Sequence, residues 1–176
     1  SIGGKTGFNN KYGKNLIGSF HQPDLVISDT KILESLPKRE IICGYAEILK
    51  HSLIKNKNFF LFLDNNLTNI LNLEKKYIEK AILQSCKIKK LIVEKDEKES
   101  NLRKKLNLGH TFGHAYEATL GYSKKLNHGE AVLYGILSAI KLSKKFKSLE
   151  SKEYKLILSH LSKLGFDNLN NFFKKK

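Results

Sequence analysis

The chain has 176 residues, 40% of them hydrophobic, enough for one domain with a real core. Its 32 Lys and Arg against 17 Asp and Glu give a formal net charge of +15. That excess is nearly all Lys dispersed among Asn, without a groove of interleaved basic and aromatic residues, which argues against nucleic acid as a partner.

No run of 18 apolar residues and no basic start before an apolar stretch are found, so a soluble, cytoplasmic chain with no membrane partner is expected. Residues 1–24 carry Gly3, Gly4, Gly7, Gly13 and Gly18 and end near Pro23, too dense in Gly for a long helix. An irregular start is expected there, and Val26-Ile27 is at most a short strand. Pro37 suits the first position of a helix, with Ser35 as candidate cap, and the helical pattern runs from about Lys38 to Ile54. Phe59, Phe60 and Phe62 mark a second short helix that Asn65-Asn66 interrupts.

From about Leu73 to Val93 a long helix gathers Ile78, Ile82, Cys86, Ile92 and Val93 on one side. Lys89 lies in that apolar line; its stem can pack while the ammonium snorkels out, and that is the bland account. Cys43 and Cys86 lack CxxC spacing and are expected as reduced core residues. A helix from about Leu102 to Leu120, closed by Gly121, then places Arg103, Asn107, His110 and His114 at i, i+4, i+7 and i+11, on one face. A solvated face would normally be Lys and Glu. Gly109 and Gly113 inside this helix cost about 1 kcal/mol each relative to Ala, so a packed helix or a ligand must approach closely.

After the loop Tyr122 to Asn127, His128-Gly-Glu130 opens an apolar helix from Ala131 to Leu142. Ser151 can cap a last amphipathic helix to about Leu164, stopped by Gly165, and the tail from Asp167 to Lys176 is polar. The expected fold class is mainly α, one multi-helical domain over 1–176 with an irregular Gly-rich start.

A catalytic zinc site wants three protein ligands and an open position. His110 is one candidate and His128 a natural second, because a helical hairpin can bring them together. Glu47 is the best third, mid-helix in Gly44-Tyr-Ala-Glu47-Ile-Leu-Lys50. Structural histidines and an exposed Glu47–Lys50 pair are the competing accounts. Only Arg39 and Arg103 are arginines, and Arg103 on the polar stripe suggests a need for its planar fork. Gly3-Gly4-Lys5-Thr6-Gly7 resembles a phosphate-binding turn without being a P-loop; with Lys14-Asn15 it offers two cations and an amide to an anion.

These segments, with Gly13-Lys-Asn-Leu-Ile-Gly-Ser-Phe-His-Gln-Pro23, Leu36-Pro-Lys-Arg-Glu40, Asp96-Glu-Lys-Glu99, Leu106-Asn-Leu-Gly-His-Thr-Phe-Gly-His-Ala-Tyr-Glu117 and His128-Gly-Glu130, closely resemble the 3-dehydroquinate synthase family. Seven motifs stand in the family's order from residue 1 to about residue 143. The resemblance implies a multi-helical carboxy-terminal domain in which Glu47, His110 and His128 bind a divalent metal, Zn2+ or Co2+. It implies that Lys5, Asn15, Lys50, Lys89, Arg103, Asn107 and His114 hold a phosphorylated C7 sugar acid. Lys14 and the turn Ile32, Leu33, Glu34 and Ser35 match places that touch NAD, and Glu99 matches an acidic partner of the substrate-binding groups. His114 is the candidate proton shuttle.

The implied reaction is the conversion of 3-deoxy-D-arabino-heptulosonate 7-phosphate to 3-dehydroquinate and phosphate, in the shikimate route to aromatic amino acids. The family's Rossmann-like amino-terminal NAD domain and extreme carboxy-terminal segment are expected to be missing here, and Asn101 stands where the family usually has Gly. The isolated chain is therefore expected to be inactive without an NAD domain in cis or in trans, and a homodimer is expected. A folded remnant that binds zinc and catalyses nothing, or another sugar phosphate cyclase, is the alternative.

Overall fold

A computed structural model describes residues 2–10 and 13–174, with only the backbone described for residues 8–10 and 13–16. The Gly-rich start is not wholly irregular: strands β1 (Phe8–Asn10) and β2 (Gly13–Ile17) pair antiparallel, with Phe8 opposite Ile17. Thr6 extends the hairpin by trading bonds with Ser19. Val26-Ile27 forms no strand, and Leu25 and Ile27 are 75% and 82% exposed.

The remainder is helical: α1 (Lys38–Lys55), α2 (Lys57–Asn65), α3 (Leu67–Leu71), α4 (Lys75–Lys95), α5 (His110–Thr119), α6 (His128–Lys145), α7 (Ser151–Lys163) and α8 (Asn170–Phe173). Short 3-10 turns occupy Thr30–Ser35 and Leu102–Asn107. Pro37 directly precedes α1, its carbonyl accepting from the Glu40 and Ile41 amides. Ser35 does not cap α1; its hydroxyl donates back to Ile32 O inside the 3-10 turn. The core runs through Leu49, Leu63, Ile70, Val132, Leu133, Ile136, Leu137 and Leu161, all fully buried or nearly so. Cys43 and Cys86 are free and half-buried rather than core residues. The tail is less polar in effect than in composition, because Phe172 in α8 is buried against Tyr116 and Tyr134.

Helix α6 is the central strut, packed on both α5 and α1. Its contact with α5 explains the two costly glycines. A Cβ on Gly135 of α6 would stand 1.9 Å from the Gly109 carbonyl oxygen, and one on Gly113 would meet the Ala131 carbonyl at 3.0 Å. The close neighbour is therefore a helix. Gly109 itself takes φ +79, the left-handed region that L side chains avoid. The expected single helix over 102–120 is broken there: the 3-10 turn ends at Asn107, Leu108 turns extended, and α5 begins afresh at His110. The 3.6-residue register assumed for Arg103 through His114 does not hold. Even so, all four side chains reach one cavity.

Candidate metal and anion site

One cavity of about 400 Å³ is lined by Lys5, Glu47, Lys50, His51, Lys89, Glu99, Arg103, Asn107, His110, His114 and His128, with Ile2 and Leu106. Helix α1 supplies Glu47 and Lys50, α4 supplies Lys89, the 3-10 turn Arg103 and Asn107, and α5 and α6 the three histidines. Ten residues singled out in the sequence thus meet in one place. Ile32, Leu33, Glu34 and Ser35 do not join them; Leu33 lines a separate, largely apolar cavity of about 250 Å³ between α1 and α4. The side chains of Lys14 and Asn15 lie outside the described residues.

The metal-ligating atoms of Glu47, His110 and His128 all lie within 4.8 Å of one another. Glu47 Oε2 accepts from the buried Lys50 ammonium at 2.6 Å, while Oε1 is buried without a hydrogen-bond partner, 3.5 Å from His110 Nε2. An orphaned buried carboxylate oxygen costs about 1–3 kcal/mol unless something completes it. Two ligand atoms each about 2.1 Å from a tetrahedral ion stand about 3.4 Å apart, so the Glu47–His110 spacing fits a shared divalent cation better than it fits a hydrogen bond. Burial opposes the charge on Glu47, but the Lys50 ammonium outweighs it and holds the carboxyl below its usual range. Burial, aided by Lys50, pushes His110 down and leaves a neutral ring with a lone pair to donate. His110 Nδ1 faces Leu108 O and His128 Nδ1 faces Glu117 Oε2. The donor set fits zinc or cobalt.

Beyond these ligands the cavity is cationic. Lys5, Lys50, Lys89 and Arg103 face only Glu47 and Glu99, an excess of two positive charges suited to a multiply anionic ligand. Burial lowers the pKa of both Lys50 and Lys89, with Glu47 opposing that shift. Lys89 does not merely snorkel, since it is half-buried and lines the cavity wall. Arg103 is buried, and its fork serves two backbone carbonyls, Glu97 O at 2.5 Å and Gly3 O at 2.7 Å. Glu99 binds Lys5 and takes a 2.8 Å bond from Asn107 Nδ2. Its backbone is held in the left-handed region (φ 59) by Asp96, whose carboxylate accepts from the Ser100, Asn101 and Arg103 amides.

Two polar residues escaped the sequence. His51, 4% exposed, accepts or donates at Nδ1 with Ser85 Oγ (2.7 Å), and burial lowers its pKa to about 4. Glu117, 3% exposed, sits one α5 turn beyond His114. Position i, i+7 from His110 was the available signal for Glu117; nothing marked His51.

Residues 44–174 match the family model described as 3-dehydroquinate synthase C-terminal, and residues 1–43 the one described as 3-dehydroquinate synthase N-terminal. A 3-dehydroquinate synthase of Pelagibacter ubique is 60% identical over all of this chain and 48% of its own length, and one of Dictyoglomus thermophilum is 49% identical over 99% and 48%. The chain spans about half the length of the curated relatives it matches. Among solved structures, a 2-epi-5-epi-valiolone synthase from Streptomyces hygroscopicus with NAD+ and Zn2+ bound superposes with TM-score 0.85 at 25% identity, over 94% of this chain and 46% of that one. A 2-deoxy-scyllo-inosose synthase complexed with carbaglucose-6-phosphate, NAD+ and Co2+ gives 0.79 at 27%, over 95% and 47%.

Proposed function

The chain belongs to the 3-dehydroquinate synthase family, and on that premise we propose that it is the metal- and substrate-binding part of an enzyme that converts 3-deoxy-D-arabino-heptulosonate 7-phosphate to 3-dehydroquinate and phosphate. The observation that carries this is the convergence of Glu47, His110 and His128 with four cations on one cavity. Identities of 60% and 49% to dehydroquinate synthases, against 25% and 27% to the other cyclases, favour this substrate over theirs.

Glu47, His110 and His128 would hold the divalent cation. A bound divalent cation would supply Lewis acidity toward a substrate hydroxyl, and NAD would supply the capacity for hydride transfer. Lys50, Lys89, Arg103 and Lys5 bind and orient the carboxylate and phosphate, while Asn107 orients hydroxyls and Glu99 keeps Lys5 in place. His114, its ring 5.5 Å from that of His110 and 5.8 Å from that of His128, is positioned to hold or pass a proton beside the reacting hydroxyl. Lys14 and residues 32–35 serve NAD, with the rest of the NAD scaffold in an amino-terminal domain in cis or in trans. The working form is a cytoplasmic homodimer; among the described residues no helix is long and apolar enough to cross a membrane.

Zinc titration followed by calorimetry with the sugar phosphate tests this. The expected result is one tightly bound zinc per chain and binding of the phosphorylated acid that Lys89→Ala and Lys50→Ala weaken. Zinc uptake unchanged in Glu47→Ala and His110→Ala would overturn the ligand assignment.

A further inference from the structure

We propose that Glu117 is a positioning residue for His128, its buried carboxylate holding the imidazole proton on Nδ1 so that Nε2 is left with a lone pair for the cation. The inference rests on the metal site proposed above. His128 is the least supported of the three ligands: its side chain is 46% exposed, and it opens α6 at the end of a loop. An exposed neutral histidine exchanges freely between two tautomers, and only one of them presents an Nε2 lone pair.

Three features remove that freedom. Glu117 Oε2 lies 3.2 Å from His128 Nδ1, and the Glu117 side chain is only 4% exposed, so the fold rather than solvent sets where this oxygen points. The backbone is fixed as well. Asn127 and Glu130 form a reciprocal capping box around His128, and Arg39 grips Glu130 with two nitrogens and the Lys124 and Lys125 carbonyls with the same fork. Finally, α5 carries His110, His114 and Glu117 at i, i+4 and i+7, so the helix that offers one ligand also orients another. A carboxylate behind a ligating histidine is a general way to fix ring and tautomer and raise basicity. His114 and Glu117 themselves also lie within 4.8 Å of His128, so direct ligation by Glu117 is the outcome to be told apart.

Histidine-labelled chain, free of metal, is examined by nitrogen-15 NMR, and zinc affinity is measured by chelator competition. The parent is expected to carry the His128 proton on Nδ1. Glu117→Ala is expected to shift His128 toward the Nε2–H form while leaving His110 unchanged, and to weaken zinc binding by about 10- to 100-fold. Glu117→Gln, whose amide oxygen can still accept from Nδ1, is expected to restore the tautomer and part of the affinity. A parent with its proton on Nε2, or variants with parental zinc affinity, overturns the inference. So does a change in the cobalt absorption bands of Glu117→Gln, which makes Glu117 a ligand. If Glu117→Ala does not fold, the parental tautomer and Glu117→Gln still decide. A parent that takes up no zinc fails the metal site itself, and is distinguished by having no affinity to compare.

Discussion

The α5–α6 contact and the amino-terminal stretch that carries Ile2 and Lys5 border the same cavity by opposite means. The first is backbone against backbone, with the Gly109 carbonyl seated where a Gly135 side chain would be. The second is held by a few polar ties: Arg103 to Gly3 O, Lys5 to Glu99, Gln22 to Glu97, and the Thr6–Ser19 bonds. It leaves Leu25, Ile27 and Ile32 exposed. The metal ligands thus stand on packed helices, as do Lys50 and Lys89, whereas Lys5 is carried by a strap held through these polar ties.

The harshest challenge to this contrast is Gly135→Ala, expected to destabilise the chain by about 3 kcal/mol or more, because neither backbone can yield. A urea midpoint equal to the parent's would show that the contact is not tight. Next comes Glu47→Ala, expected to lower zinc affinity by more than about 100-fold, beyond the effect of removing an indirect partner. Arg103→Lys keeps the charge but loses the fork on two carbonyls; a loss of about 1–3 kcal/mol is expected, with faster proteolysis within residues 1–24. Zinc affinity should change little, and a large loss would mean that strap and metal site are one unit.

Smaller still is an acid effect at Asp96. Donation from the Arg103 and Asn101 amides holds this carboxyl below its ordinary range. Its contribution is complete above the unfolded value of about 3.9 and is lost as pH falls toward the folded one. The parent's melting temperature should therefore fall more steeply than that of Asp96→Asn between about pH 4 and pH 2. Last, Lys5→Ala should cost under about 1 kcal/mol, since Lys5 is half exposed; calorimetric affinity for the sugar phosphate should drop more visibly than stability.

What the sequence made legible follows from the range of the forces involved. Helices α1, α2, α4, α6 and α7 could be placed to within a few residues because apolar periodicity and punctuation are local. Lys89 and Arg103 were conspicuous as the wrong residue types for their surroundings. The break at Gly109 was not visible, because it answers to Gly135, 26 residues on, and periodicity carries no trace of a partner. Arg103 drew notice for a ligand-binding fork, yet in the structure both arms go to backbone carbonyls, a choice fixed by where residues 3 and 97 fold. Phe172 read as part of a polar tail because its partners, Tyr116 and Tyr134, come from two other helices.

His110 and His128 are each the first residue of a helix, of ten and eighteen residues. Both helices therefore begin at the cavity, where the amides of the first turn leave a partial positive charge. The residues proposed to hold a cation sit where the backbone itself repels one, so Glu47 in the cavity, Glu117 behind His128 and Glu130 in the first turn of α6 must together offset both helix ends. The same two helix ends would go on attracting an oxyanion after every lysine in the wall had been replaced.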